Sequence, residues 1–183
     1  EIPLKTEKNW GHSVNAAKRD VGAVSATDYT TDAWEGFRDG RALITSAGGD
    51  LDAAQLDELR SHRDKAVGAW EKAVAATVVH YINDTLQDMA KFGTTDYSFE
   101  THAKHWGEMK GFALGFQFNP NSPMNDHFVD FHTLVGDAPT LSSATADEIT
   151  AYTADLIEAR ALLGTAYGFD SANLGDDGGE NGW

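Results

Sequence analysis

Residues 52–91, DAAQLDELRSHRDKAVGAWEKAVAATVVHYINDTLQDMAK, decide the fold of this chain. Their large apolar residues lie three or four positions apart almost throughout, which is the spacing of one face of an α-helix. This face consists of Leu56, Leu59, Val67, Trp70, Val74, Val78, Ile82, Leu86 and Met89. A helix of this length must bury its apolar face against other helices, so we expect an all-α fold.

Helix start and stop signals place further helices on both sides of this segment. The expected N-caps are the pair Thr27-Asp28, Ser98 and Thr145. Thr145 and Glu148 also have the spacing of a capping box. The predicted helices cover residues 7–21, 27–48, 52–91, 99–118, 125–134 and 143–167. We therefore expect an antiparallel helical bundle over residues 1–169, followed by a flexible, solvated acidic tail of Gly, Asp and Asn over 170–183. The alternative for this tail is that Trp183 at its end pins it to the bundle.

A short pattern, K-x-W-G-x, occurs twice, at Lys8–His12 and at Lys104–Glu108. We expect each copy near the beginning of a helix, and the repeat predicts two pseudo-repeated helical units. These units cover about 5–50 and about 52–167. The second copy places His105 and Glu108 about one turn apart on one helical face. Bundles use such a His/Glu pair to hold a metal ion in the core.

Small residues follow the second copy on the same predicted helix. Gly107, Gly111 and Gly115 are four positions apart, so they form a smooth strip along one side of the helix. Because glycine costs roughly 1 kcal/mol relative to alanine within a helix, we expect the strip to allow close backbone packing or to form a groove. The tryptophans of the two copies, Trp10 and Trp106, are expected to pack in the core.

The segment Lys104–Pro120, KHWGEMKGFALGFQFNP, resembles the H-x-x-E helix of imelysin-like bacterial proteins. It is more similar to a neighbouring family of uncharacterised bacterial secreted or lipid-anchored proteins, which residues 70–81, WEKAVAATVVHY, also resemble. The resemblance implies two bundles from a duplicated unit, a periplasmic or cell-surface location, and a role in acquiring iron or another metal. Some imelysin-like proteins were classed as metallopeptidases. The site residues that carry over are His105 and Glu108, and Ala103 stands where the imelysin pattern has Gly.

A metal site needs at least three ligands, and two residues of one helix supply at most two. The further candidate ligands are His12 in the first copy and Glu71 on the long helix. His80 is a third candidate, since its apolar neighbours on the long helix indicate that it points inward. Nitrogen and oxygen ligands without sulfur suit Zn, Fe or Cu(II). The alternative is that His105 and Glu108 form a buried hydrogen-bonded pair that orients two helices.

The composition disfavours several classes of function. The chain has 29 acidic and 14 basic side chains and a formal net charge of −15, whereas nucleic acids and anionic lipids bind to cationic surfaces. It has no cysteine and no apolar run near the ~20 residues that a membrane-spanning helix needs. A nucleotide-binding glycine loop, a nucleophile elbow and an H-E-x-x-H motif are also missing from the sequence.

We therefore expect a bacterial envelope binding protein, rather than an enzyme, that binds a metal ion or metal complex through His105 and Glu108. One alternative is a helical interaction or structural module that binds a protein or a glycan without metal. A third is a metallopeptidase of imelysin type. We also expect the chain to be part of a longer precursor, with an apolar groove filled by an N-terminal segment, a second copy of the chain or another partner.

Overall fold

A computed structural model describes residues 11–183, except for the side chain of His12. Within this range the chain forms six α-helices, two short 3-10 helices and no strand, which confirms the all-α prediction. The α-helices are α1 (Gly11–Gly22), α2 (Tyr29–Ala47), α3 (Ala53–Met89), α4 (Phe99–Ala113), α5 (Phe128–Val135) and α6 (Ala146–Tyr167). The 3-10 helices are Leu114–Phe118 and Ser171–Asn173.

Side-chain caps fix where three of these helices begin, and all three were expected. The carboxylate of Asp28 and the hydroxyl of Ser98 each accept a hydrogen bond from the backbone N–H three residues later, at 3.3 and 3.2 Å. Thr145 Oγ1 accepts from the N–H of Glu148, and Glu148 Oε2 accepts from the N–H of Thr145 at 2.8 Å. These bonds satisfy backbone donors that have no partner inside the helix.

The chain divides into two compact units, and helix α3 contributes to both. The first unit comprises residues 26–74 together with α1 as far as Val21. The second comprises residues 75–183 together with 22–25.

The first unit is packed largely through small residues. Helices α2 and α3 run antiparallel and approach so closely at Gly36 that an added Cβ would lie 2.7 Å from the carbonyl oxygen of His62. The buried apolar residues of the unit are Ala16, Tyr29, Ala33, Ala66, Ala69 and Ala73. Asp20 of α1 also anchors the beginning of α2, since its carboxylate accepts from the N–H groups of Tyr29 and Thr30 at 2.8 and 3.1 Å.

The second unit has a core of large side chains contributed by α3, α4, α5, α6 and the loops between them. Its most deeply buried large apolar residues are Val78, Val79, Ile82, Met109, Phe116, Met124, Phe131, Val135, Leu156 and Leu163. Trp106 joins this packing and donates from Nε1 to the hydroxyl of Tyr152 at 2.8 Å, and Tyr152 donates in turn to the carbonyl of Val135. Trp106 thus has a structural role, as expected.

The segment 170–183 is a loop apart from the 3-10 helix Ser171–Asn173, and its interpretation as a flexible, solvated tail is wrong. Trp183 is only 6% exposed, and its carbonyl accepts from Asn83 Nδ2 at 3.1 Å. Arg160 of α6 donates to Asn83 Oδ1 at 2.6 Å and to the carbonyl of Asp176 at 2.7 Å. Gly179 has a φ of 80° and rests on the backbone of Asn83, so a side chain has no room there. This segment is an integral part of the second unit.

Two further expectations are corrected. The second K-x-W-G-x copy lies in the middle of α4, because the Ser98 cap starts this helix well before Lys104. The strip of Gly107, Gly111 and Gly115 faces open space, since an added Cβ at each of them would meet nothing within 4 Å. The expectation of close backbone packing along this strip is therefore wrong, and the alternative of a groove stays a prediction. The first copy lies outside the described residues, apart from the backbone of Gly11 and His12. Among the described helices, none has the length and apolar character that crossing a membrane requires.

Candidate functional site

His105 on α4 meets a carboxylate that the sequence analysis did not consider. Its Nδ1 lies 2.8 Å from Oδ2 of Asp88, which is on α3 and has a side chain that is 6% exposed. This distance is that of a charge-assisted hydrogen bond, with the ring N–H as donor and the carboxylate as acceptor. When Nδ1 carries the proton, the other ring nitrogen, Nε2, keeps its lone pair in the neutral imidazole.

Nε2 of His105 lies near a second carboxylate, that of Asp84, which also lies near a second histidine, His80. Oδ2 of Asp84 lies 3.8 Å from Nε2 of His105 and 3.3 Å from Nε2 of His80. His80, Asp84 and Asp88 follow one another at intervals of four residues on α3, so they share one helical face. The side chains of His80 and Asp84 are 30% and 23% exposed. We call His80, Asp84, Asp88 and His105 the α3–α4 cluster.

A third histidine lies beneath the cluster and is held in its neutral form. His102 is fully buried, and its Nδ1 lies 3.2 Å from the hydroxyl of Tyr97. Its Nε2 has no hydrogen-bond partner. Burial lowers the pKa of His102, and the charge of nearby His105 acts in the same direction, while Asp88 opposes them. His102 therefore contributes no positive charge to the cluster at neutral pH.

The other predicted ligands are placed differently. Glu108 is on α4 with His105, but its nearest charged group is Lys104, with Nζ 3.8 Å from Oε2. Glu108 Oε2 is buried and accepts no hydrogen bond. Glu71 is on α3 in the first unit, whereas His105 and Glu108 belong to the second. The side chain of His12 lies outside the described part of the chain.

No complete metal site is preformed among the residues that the structure describes: no group of three or more His, Asp or Glu side chains has the required arrangement. The two separations that Asp84 makes with the histidines of the α3–α4 cluster are nevertheless close to those of metal ligands. Donor atoms around a tetrahedral ion with bonds of about 2.0–2.2 Å lie about 3.3–3.6 Å apart. The His80–Asp84 separation of 3.3 Å falls in this range, and the His105–Asp84 separation of 3.8 Å is slightly longer. Small rotations of these side chains would be needed to receive an ion.

The sequence contained a signal for this cluster. His80, Asp84 and Asp88 are spaced by four residues, which places two carboxylates beside the one α3 histidine that we had expected to point inward. The H-x-x-E spacing within α4 drew attention to Glu108 instead. A pattern within one helix does not show which residues of another helix it meets, so the partners of His105 emerged only from the structure.

Comparison with known proteins assigns the chain to no family. No protein-family model matches the chain, and no curated protein or solved structure is significantly similar to it.

Proposed function

We propose that this protein binds a divalent transition-metal ion at the α3–α4 cluster. The single observation that carries the proposal is that one carboxylate oxygen, Asp84 Oδ2, lies within 4 Å of the Nε2 atoms of both His80 and His105. Two imidazoles and one carboxylate are a common ligand set for Zn and for non-haem Fe(II). The proposed ligands are therefore His80, Asp84 and His105. Of the four ligands predicted from the sequence, only His105 is kept, and Glu108, Glu71 and His12 are not part of the proposed site.

Asp88 supports the proposal through its contact with His105. A metal-binding histidine usually donates its other ring N–H to a carboxylate or carbonyl, which fixes the tautomer and the ring orientation. Asp88 does this for His105 at 2.8 Å. It is also held at the end of α3 by Lys91, whose Nζ lies 3.2 Å from its Oδ1.

The charge of the cluster also favours a cation. Its two carboxylates belong to a unit in which acidic side chains greatly outnumber basic ones, and the whole chain has a net charge of −15. A divalent cation that binds here would compensate part of this negative charge. The lack of sulfur ligands favours Zn, Fe or Cu(II) over Cu(I).

Isothermal titration calorimetry with Zn²⁺, Cu²⁺ and Fe²⁺ tests the proposal. We expect binding of at least one ion at a stoichiometry of one, and a loss of at least tenfold in affinity in a His80→Gln, His105→Gln double variant. Removing the orienting carboxylate with Asp88→Asn should lower the affinity roughly 10–100-fold. His127→Gln serves as the matched control, because His127 is exposed and lies on another part of the second unit.

The same titrations separate the alternatives. If the double variant binds as tightly as the parent protein, the α3–α4 cluster is not the site. If Glu108→Gln weakens binding as much as His105→Gln, the ion is held by the H-x-x-E pair of α4. If the parent binds none of the three ions, the His105–Asp88 bond serves only to orient α3 and α4, and a module without metal is the better interpretation. The bacterial envelope location and the role in metal acquisition expected from the resemblance remain part of this proposal.

A further inference from the structure

A groove of about 360 Å³ runs along the first unit between α2 and α3. Its floor is formed by Gly36 and Gly40, where the two helices approach closely. Apolar side chains line it from both helices: Phe37, Ile44, Leu59, Ala66 and Val67. Ile44 is 52% exposed and Val67 39% exposed, although both belong to otherwise amphipathic helices.

The rim of the groove carries positive charge in an acidic chain. Arg41 and Arg63 both line it. Arg63 is paired with its neighbour Asp64, with Nη2 and Oδ1 2.7 Å apart. Arg41 forms no ion pair with any described residue, whereas Arg38, on the same helix but outside the groove, is paired with Asp39 at 2.7 Å. The one unpaired guanidinium of α2 therefore stands at the edge of an exposed apolar surface.

These two properties define the chemistry of an occupant. Apolar side chains that project at i and i+4 from a helix fit a groove between two antiparallel helices, where ridges pack into grooves. A carboxylate on the same helix forms a bidentate pair with an arginine at the rim. A symmetric contact between two copies of the groove is less favourable, since it would bring the arginines of the two copies together.

We propose that the groove between α2 and α3 docks an acidic amphipathic helix of a partner protein. The apolar face of that helix packs on Ile44, Leu59 and Val67, and its carboxylates pair with Arg41. This inference is independent of the metal proposal, because the groove and the α3–α4 cluster lie in different units and share no residue.

The test uses a library of helical peptides displayed on phage, selected on the intact chain, with the enriched sequences resynthesised for fluorescence polarisation. We expect the enriched peptides to combine apolar residues at i and i+4 with neighbouring Asp or Glu. Both Arg41→Glu and Ile44→Asp should weaken their binding at least tenfold. Arg38→Glu is the matched control, with the same charge change on the same helix, and should leave binding unchanged. A peptide with its Asp and Glu replaced by Lys should regain affinity for the Arg41→Glu variant.

Three results would overturn the proposal. The first is that no peptide is enriched, or that the enriched peptides are basic. The second is that binding persists in the Ile44→Asp variant, with circular dichroism showing that this variant keeps the helical content of the parent. The third is a concentration-dependent dimer in light scattering that Ile44→Asp abolishes, which would make a second copy of the chain the occupant.

Discussion

The two units of this chain are packed through side chains of different size. In the first unit, helices meet through Ala and Gly, and α2 touches the backbone of α3 at Gly36. In the second unit, large side chains fill the interior, and a buried polar network around Asn83 and Arg160 ties the 170–183 segment to the helices. The two kinds of packing should fail in different ways: the first is sensitive to added volume, and the second to the loss of hydrogen-bond partners.

Removing Asn83 should have the largest effect, because it breaks the polar network of the second unit. Asn83 is 1% exposed, donates to the carbonyls of Leu174 and Trp183, and accepts from Arg160. In Asn83→Ala, the buried carbonyl of Trp183, the partly buried carbonyl of Leu174 and part of the buried guanidinium of Arg160 lose a partner, at a cost of about 3 kcal/mol. Urea denaturation followed by circular dichroism measures this loss.

Two controls show whether that effect belongs to the network. Asn121→Ala changes the same residue type at an exposed position and should alter stability by less than about 0.5 kcal/mol. Tryptophan fluorescence should also report increased exposure of Trp183 in the Asn83→Ala variant alone. If Asn83→Ala is as stable as the parent, the 170–183 segment is not held by this network.

Adding one methyl group at position 36 should destabilise the first unit. A Cβ at position 36 would lie 2.7 Å from the carbonyl oxygen of His62 and 2.8 Å from the N of Ala66, so α2 and α3 must separate. We expect Gly36→Ala to cost about 2 kcal/mol, in spite of the higher helix propensity of alanine. Thermal denaturation of the variant provides the measurement.

Gly107→Ala is the matched control in the second unit, since its Cβ would meet nothing within 4 Å. That variant should be more stable than the parent by up to about 1 kcal/mol. If Gly36→Ala were also stabilising, position 36 would have room for a methyl group between α2 and α3, and the contrast between the two units would disappear.

Acidification should give the smallest effect, and it should act through the second unit. The pKa of His102 in the folded protein is lowered from its ordinary 6.5 mainly by burial. The unfolded chain then binds more protons than the folded chain below pH 6.5, so the stabilising contribution of neutral His102 is present above that pH and decreases as the pH falls towards the lowered pKa. The groups that face His102 are Tyr97, Asp88 and His105, of which Asp88 opposes the shift.

The measurement is the free energy of unfolding between about pH 7 and pH 5, above the range in which most carboxylates titrate. Stability should decrease with falling pH in the parent and decrease less steeply in His102→Leu, whatever the absolute stability of that variant. Equal slopes in the parent and in His102→Leu would show that burial of His102 does not perturb its protonation.

The sequence predicted the helices well, because their caps and apolar periodicity are local. The N-caps at Asp28, Ser98 and Thr145 and the length of α3 all follow from residues close together in the chain. The glycines show the limit of this reasoning. Gly107 looked suited to close packing and faces open space, while Gly36 touches another helix, and the sequence around them does not distinguish the two environments.

The candidate site was predicted only in part, because spacing along one helix does not show which residues of another helix it meets. His105 was identified from its spacing to Glu108, but its contacts with Asp88 and Asp84 depend on how α4 is rotated against α3. Likewise, the composition of residues 170–183 indicated a loop, which is correct apart from the 3-10 helix Ser171–Asn173. Their burial depends on partners far away in the sequence, such as Asn83 and Arg160.

The central claim is that an ion binds between α3 and α4, and anomalous scattering from crystals grown with Zn²⁺ tests it most directly. We predict one anomalous difference peak about 2.0–2.2 Å from Nε2 of His80, from Nε2 of His105 and from a carboxylate oxygen of Asp84, with the Asp88–His105 bond retained. A peak shared by His105 and Glu108, a peak confined to surface residues such as His127, or no peak at all would contradict the claim.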